Sequence, residues 1–355
     1  MPRAVRIEQD RRRAEIERDP TRFFTDELRP GLRTTAGHVA LRLGGKGEDW
    51  VFCENATAAV NSVLHSLDLQ SGDEIVTTSH AYGAVLKSIG LVAGRRKAIL
   101  RQAQLSPVTE SDDQIVESIE GALTDRTKLL IVDHITSATA TIFPVRQIAA
   151  SARSRNVPVL IDGAHAPGQL ALDVPSLAAD WYTGNAHKWL FAPRGCGLLW
   201  TAPERQANTR PSVLSHGADE GYTEAFDWIG TRDPTPWLCF ETAARAHDAF
   251  GGSRLMAENR KLATFGAQVV SDAVSAHMTA PEKLRGSMVS LILEGCSSHA
   301  KAAEAFRRAL WERHRITVPV FPFAGRLFLR ISAQIYNKPG DYEALASACQ
   351  ALLFR

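Results

Sequence analysis

Through residues 50–200, short apolar runs alternate with segments of helical periodicity, and this alternation restricts the fold more than any other feature. Trp50–Cys53 reads as a strand, and 56–67 as a helix with Val60, Val63, Leu64 and Leu67 on one stripe. A second strand is expected at 75–78, after the turn residues Ser71-Gly72-Asp73, and a third at 98–101, with a helix over 82–92 between them. Ser111-Asp112-Asp113 caps a helix running to about Leu123. The runs 128–133 and 157–161 are almost wholly apolar and flank a helix over 145–155; 198–200 reads as a further strand. Strands apolar on both faces and separated by helices belong to a parallel sheet covered on both sides. Ligands of such sheets sit at the carboxyl ends of the strands, near helix N-termini.

After about Thr231 the pattern changes. Helices are expected at 235–250, 255–275, 299–314 and 342–352, and strands at 287–293, 316–320 and 326–331. This reads as a smaller α+β domain. The division is placed near residue 235, giving a large domain over 1–235 with an N-terminal helical segment, and a small one over 236–355.

Composition removes several classes of function. The chain has 355 residues, enough for two domains with sizeable cores. Lysine and arginine number 41 against 39 acids, a net charge of +2, so no strong field steers nucleic acid or an anionic membrane. No apolar stretch approaches the roughly 20 residues that span a bilayer. Cys53, Cys196, Cys239, Cys296 and Cys349 are scattered, which favours reduced cytoplasmic thiols over disulfides or a zinc site. The first twenty residues carry six arginines but also Glu8, Asp10, Glu15, Glu17 and Asp19. Targeting peptides avoid acids. The pairs Glu8–Arg12, Arg11–Glu15 and Arg13–Glu17 instead have the i,i+4 spacing of an exposed, salt-bridged helix.

Four places carry polar residues where strands end or should be apolar. Asp162 follows the buried run Pro158-Val159-Leu160-Ile161 and precedes Gly163-Ala164-His165-Ala166-Pro167-Gly168. It is either an acid aimed into a ligand crevice or a capping aspartate. Lys188 lies in Asn185-Ala186-His187-Lys188-Trp189, 26 residues later, between Gly184 and the punctuated stretch Ala192-Pro193-Arg194-Gly195-Cys196-Gly197. It is either a snorkelling surface lysine or an amine made nucleophilic by a low-dielectric crevice. Glu54-Asn55-Ala56-Thr57 forms a strand-to-helix turn, which offers either an N-cap or an anion site on free helix N–H groups. Arg330 interrupts the strand Leu327-Phe328-Leu329-Arg330-Ile331-Ser332, as an edge-strand arginine or a carboxylate clamp. One explanation covers all four. The helix N-terminus holds a phosphate, Asp162 pairs with a pyridinium nitrogen, Lys188 forms an imine, and Arg330 holds an amino-acid carboxylate.

With these residues in place, the sequence resembles the class V aminotransferase family of fold type I pyridoxal-phosphate enzymes, and within it the isopenicillin N epimerase-like proteins. The resemblance rests on 162–168, on 184–197, on Thr78-Ser79-His80-Ala81-Tyr82-Gly83-Ala84, on Asp133-His134-Ile135-Thr136-Ser137 and on Gly230-Thr231-Arg232-Asp233. It implies an α/β fold, a large domain whose mainly parallel sheet is sandwiched by helices plus a smaller α+β C-terminal domain, and pyridoxal 5'-phosphate as cofactor. It implies Lys188 as the Schiff-base lysine and Asp162 as the partner of the pyridine nitrogen. Asn55, Ala56 and Thr57 would cradle the phosphate, with Asn185 and His187 as further donors. His80 would stack on the pyridine ring, and His165 and Ser137 would lie by its phenolic oxygen. Thr231 would reach the phosphate of the neighbouring subunit's cofactor in a homodimer with active sites at the interface. Arg330 would bind the carboxylate of a small amino-acid substrate.

Two departures shape the expected reaction. Cysteine desulfurases of this family carry a nucleophilic cysteine shortly before the position of Arg330, and 314–329 contains none. Without it a persulfide mechanism lacks its nucleophile. Epimerase-like relatives also begin with a segment bearing an Asn-His/Thr-Gly motif, ahead of the piece that matches Pro2-Arg3-Ala4-Val5. The expectation is either a start upstream of Met1 or a substrate site closed without that segment. The reaction expected first is epimerisation at the α-carbon, with Lys188 as base and His80, Tyr82 and His165 as candidates for a second acid. A carbon–sulfur β-lyase comes next, then an aminotransferase, then a catalytically impaired family member.

Overall fold

The computed structural model describes residues 1–109 and 111–353. The chain divides into two units. The large one comprises Met1–Gln104, Val116–Ile135 and Pro144–Gly252; the small one takes Leu105–Ile115, Thr136–Phe143 and the chain from Ser253 onward. The division therefore falls at Ser253 and not near 235. The intervening helices Thr235–Leu238 and Phe240–Ala249 bury Trp237, Phe240 and Ala243, and the Trp237 indole donates to the Cys53 carbonyl of the large unit at 3.0 Å.

The large unit is built on a seven-stranded sheet: β1 (Trp50–Cys53), β2 (Glu74–Thr78), β3 (Ile99–Ala103), β4 (Thr127–Asp133), β5 (Val159–Gly163), β6 (Trp181–Asn185) and β7 (Gly197–Thr201). The order is β1-β7-β6-β5-β4-β2-β3. Only β7 runs against its neighbours. Helices Ala56–His65 and Gly83–Arg96 press Val60, Val63, Leu64 and Ile89 onto Leu129, Ile131, Leu160 and Leu199. Strand alternation leaves Leu130 and Val132 on the opposite face, and these too are buried. Residues buried on both faces explain the continuous apolar runs, and each such side chain contributes roughly 1.5–3 kcal/mol. β6 is absent from the sequence-based reading. Its five residues end in Gly184-Asn185, which look like turn residues, yet the strand pairs with β5 from Leu160↔Trp181 to Gly163↔Gly184.

The N-terminal helix, Arg3–Arg18, forms as its charge spacing predicts, but not all of its pairs do. Arg12 bonds Glu8 at 2.7 Å and Arg11 bonds Glu15, whereas Arg13 reaches Asp233 at 2.9 Å and not Glu17. Val5, Gln9 and Ile16 are buried, so one face of this helix is packed.

The small unit holds an antiparallel sheet of β8 (Ala276–Met278), β9 (Met288–Leu293), β10 (Val320–Phe323) and β11 (Arg326–Ser332), ordered β10-β11-β9-β8. Its core gathers Val270, Leu291, Leu310, Leu329, Ile331 and Leu345 from the sheet and from helices Ser253–Ala273, Ala300–His314 and Pro339–Leu353. The strand expected at 316–320 begins only at Val320. The two-residue turn Ala324-Gly325, with φ of 47° and 73°, sets Phe323 opposite Arg326 and counts the pairing back to Val320. β11 lies between β10 and β9, so Arg330 is on an interior strand, opposite Ser290, and the edge-strand alternative fails.

Candidate active site

The large unit brings its chemistry to the carboxyl edge of the sheet. β1 ends at Cys53, and Asn55 caps the helix Ala56–His65, its Oδ1 accepting from Ala58 N–H at 3.0 Å. Asn185, at the end of β6, accepts from Ala56 N–H at 2.8 Å through its own Oδ1. Among the first three N–H groups of that helix, only that of Thr57 has no acceptor among the described residues. A Cβ at Gly197 would sit 2.5 Å from the Asn55 Cα, so glycine there lets β7 pass beneath this turn. A helix N-terminus with a spare N–H and the Thr57 hydroxyl is a site for an anion.

Asp162 lies on β5, opposite Asp133 on β4, and both carboxyl groups are buried. Burial pushes the Asp162 carboxyl above the usual range, against a hydrogen bond from Ala164 N–H at 2.9 Å and the charge of Lys188. Asp133 is raised as well, by burial and then by the Asp162 charge. Two carboxyl groups side by side in low dielectric do not both ionise freely, and a positive charge placed between them relieves both. Behind them His134 donates its backbone N–H to the Asp162 carbonyl at 2.8 Å, and its Nδ1 meets the Tyr182 hydroxyl at 3.0 Å. Burial lowers His134 to about 4 and raises the Tyr182 phenol, so both are neutral near neutral pH.

The Lys188 loop follows β6. Ala186 N–H donates to the Cys196 carbonyl at 3.0 Å, and Ala192 N–H to the Ala186 carbonyl at 3.1 Å. His187 meets the same Cys196 carbonyl through Nδ1 at 3.1 Å, and burial lowers its pKa first of all. Lys188 is exposed, on a loop that lies beyond the strand ends. Its Nζ is nevertheless engaged, 3.1 Å from Nε2 of His165. The glycines at the ends of β5 and β6 and in the loop after β5 are close-approach positions. Gly163 passes against Tyr182, Gly184 against Pro167, and Gly168, at φ +85°, against the Trp189 backbone.

His80, in the turn after β2, is 1% exposed, with its backbone N–H donating to Thr78 Oγ1 at 3.3 Å. Thr231 is exposed, between Gly230 and Arg232. Arg232 ties this turn to the end of β1, through Glu54 at 2.6 Å, and stacks 4.2 Å over the Trp237 ring. Ser137 and Arg330 fall together in the small unit. The Arg330 Nη1 donates to the Ser137 carbonyl and, at 3.1 Å, to its hydroxyl. Asp133, Tyr182 and Trp189 are the members of these clusters that the sequence reading passed over. Asp133 had a usable signal, since it ends an apolar strand just as Asp162 does.

A phosphorylated pyridine aldehyde needs an amine, an acid for its ring nitrogen and an anion site. The large unit holds all three at one sheet edge: Lys188, whose charge acts on both buried acids; Asp162; and the helix N-terminus at Thr57. The residues fit pyridoxal phosphate.

Comparison with known proteins agrees. The model of the family described as aminotransferase class-V matches residues 23–345. Isopenicillin N epimerase of Amycolatopsis lactamdurans is 33% identical, over 96% of this chain and 89% of that protein. A probable L-cysteine desulfhydrase, chloroplastic, of Arabidopsis thaliana is 27% identical, over 95% of this chain and 77% of that one. A solved structure of a C-DES variant, with glycine covalently linked to its pyridoxal-phosphate cofactor, superposes with a TM-score of 0.82 at 19% identity, covering 98% of this chain and 92% of that one. No helix among the described residues is long and apolar enough to cross a membrane. The chain belongs to the class-V aminotransferase family and is a pyridoxal-phosphate-dependent enzyme of fold type I.

Proposed function

We propose that the protein epimerises an amino acid at its α-carbon, with Lys188 as the base. The observation that carries the reading is the Lys188 amine held 3.1 Å from His165 at the sheet edge where Asp162 is buried. Bound pyridoxal phosphate supplies the electron sink for the α-carbanion. Asp162 would hold the proton of the ring nitrogen in an ion pair, which would keep the ring electron-poor. Asn55, Ala56 and Thr57 would hold the phosphate at the helix N-terminus, with His187 and Asn185 beside it. His80 would stack on the ring, and the His165 imidazole would lie by the phenolic oxygen. Lys188 Nζ takes the α-proton on its own face, and epimerisation requires return of a proton from the other face. Arg330, positioned by Ser137, takes the substrate carboxylate. Thr231 serves the partner subunit's cofactor in a homodimer.

Identity to two isopenicillin N epimerases, 33% and 31%, over 96% of the chain in each case, favours this reaction. Carbon–sulfur β-elimination is the second reading, favoured by the relatives described as L-cysteine desulfhydrases. Persulfide chemistry is disfavoured, because Cys53, Cys196, Cys239 and Cys349 are buried and burial raises the partly exposed Cys296 thiol too. The test incubates the loaded enzyme with L-amino acids and with peptides bearing a free α-amino-acid end, in deuterated water. Epimerisation appears as α-deuterium in product of inverted configuration. Release of pyruvate and thiol without inversion refutes it and favours the lyase.

A further inference from the structure

An acid stands beside the anion site. Glu54 directly precedes the Asn55 cap, and its side chain is half exposed. The Thr57 N–H, which has no acceptor among the described residues, and the helix dipole attract any carboxylate within reach. Left to itself, the Glu54 carboxylate would compete with a phosphate for that N–H and repel the phosphate charge. Arg232 holds it elsewhere. Its Nη1 donates to Glu54 Oε1 at 2.6 Å and its Nη2 to the Phe226 carbonyl at 3.1 Å, while the guanidinium lies 4.2 Å over the Trp237 ring. The Trp237 indole in turn donates to the carbonyl of Cys53, the neighbour of Glu54, at 3.0 Å. Asp227, the other carboxyl group whose charge acts on Arg232, has its own partner in Arg33 at 2.6 Å. Glu54 has no second cation among the described residues. A half-exposed ion pair adds little to stability. This one removes a negative charge from beside an anion site.

We propose that Arg232 is a positioning residue for the cofactor phosphate: by holding and neutralising Glu54, it keeps that carboxylate off the helix N-terminus at Thr57. Arg232 acts through Glu54 and not by touching the phosphate. The inference rests on the reading of that N-terminus as the phosphate site. It makes the charge of Glu54, and not the packing of Arg232 on Trp237, the reason that cofactor affinity depends on Arg232.

The test titrates the full-length, cofactor-free chain with pyridoxal phosphate and with pyridoxal, which lacks the phosphate, and follows the visible absorbance of the bound aldehyde. Arg232→Gln is expected to weaken pyridoxal phosphate binding roughly tenfold and to leave pyridoxal binding unchanged. Added salt narrows the gap between Arg232→Gln and the parent, because screening shortens the reach of the Glu54 charge. In Glu54→Gln/Arg232→Gln most of the lost affinity returns, since neither charge remains. Glu54→Gln alone binds pyridoxal phosphate at least as tightly as the parent. A folded Arg232→Gln protein with unchanged affinity overturns the proposal. So does a double variant as weak as Arg232→Gln, which would make Arg232 a packing residue on Trp237. Weaker binding by Glu54→Gln overturns it even if neither Arg232 variant folds. A parent that binds pyridoxal as tightly as pyridoxal phosphate removes the phosphate site itself, and the proposal with it. A parent that prefers the phosphate leaves that site standing whatever the Arg232 variants show.

Discussion

Gly163 follows Asp162 directly, and replacing it with alanine tests the packing that holds the acid. A Cβ at Gly163 would lie 2.2 Å from Cζ and Oη of Tyr182 and 2.5 Å from Cε1. Carbon atoms pack at about 3.5–4.0 Å, so the overlap exceeds roughly 1 Å. Tyr182 is fully buried and its hydroxyl is tied to His134 at 3.0 Å, so the ring cannot swing into solvent. Overpacking costs about 1–3 kcal/mol, and breaking the buried hydrogen bond about 1–3 kcal/mol more. A total near ~4 kcal/mol lowers the melting temperature by about 8 °C or more for a unit of this size. Because the strain falls on β5, affinity for pyridoxal phosphate drops with it, by about tenfold for each 1.4 kcal/mol transmitted to Asp162. Circular-dichroism melts of Gly163→Ala, Tyr182→Leu and the double variant form the assay. Leucine lacks the atoms that clash, so the double variant recovers more than about 1 kcal/mol relative to additivity. A Gly163→Ala protein that melts within about 1 °C of its parent, or two changes that simply add, would refute the reasoning.

Asp133→Asn separates the two buried acids. A carboxyl raised by folding stabilises the folded state at low pH, and that contribution is lost as pH rises through its folded value. The cofactor-free variant is therefore more stable than the parent at neutral pH, and its stability declines less with rising pH in urea titrations. Asp162 is raised by burial and not by the charge of Asp133, so the acid limit of cofactor binding stays where it is in the parent; a limit that moves further into acid contradicts this. Arg330→Ala loses charge-assisted hydrogen bonds of about 1.5–3 kcal/mol, so KM rises roughly ten- to hundredfold while the bound-cofactor absorbance stays unchanged. Loss of the cofactor instead would make Arg330 a structural residue.

Much of the large unit was legible because its strands are buried on both faces, which writes them as unbroken apolar runs. Asp162 stood out because such a run ends on a charge followed by glycine. Asp133 ends an equivalent run but precedes His134 and Ile135 rather than a glycine turn, and its meaning lies in the register that sets it beside Asp162. Trp189 and Tyr182 look like core residues, since nothing in the chain shows that their polar tips meet His165 and His134. The glycines at 163, 168, 184 and 197 read as punctuation, and only the folded chain shows which neighbour each one admits. In the small unit the pattern of Ile316, Val318 and Val320 suggested a strand, but Ile316 and Val318 pack on the core outside the sheet, and the turn at Ala324-Gly325 sets the register.

Covalent capture of the cofactor tests the role of Lys188 most directly. The enzyme loaded with pyridoxal phosphate is reduced with borohydride, digested and mapped by mass spectrometry. The expected result is a single phosphopyridoxyl group on Lys188, with the visible absorbance band and the label both lost in Lys188→Ala. A label on another lysine, or a Lys188→Ala protein that keeps the band, would contradict the assignment of Lys188.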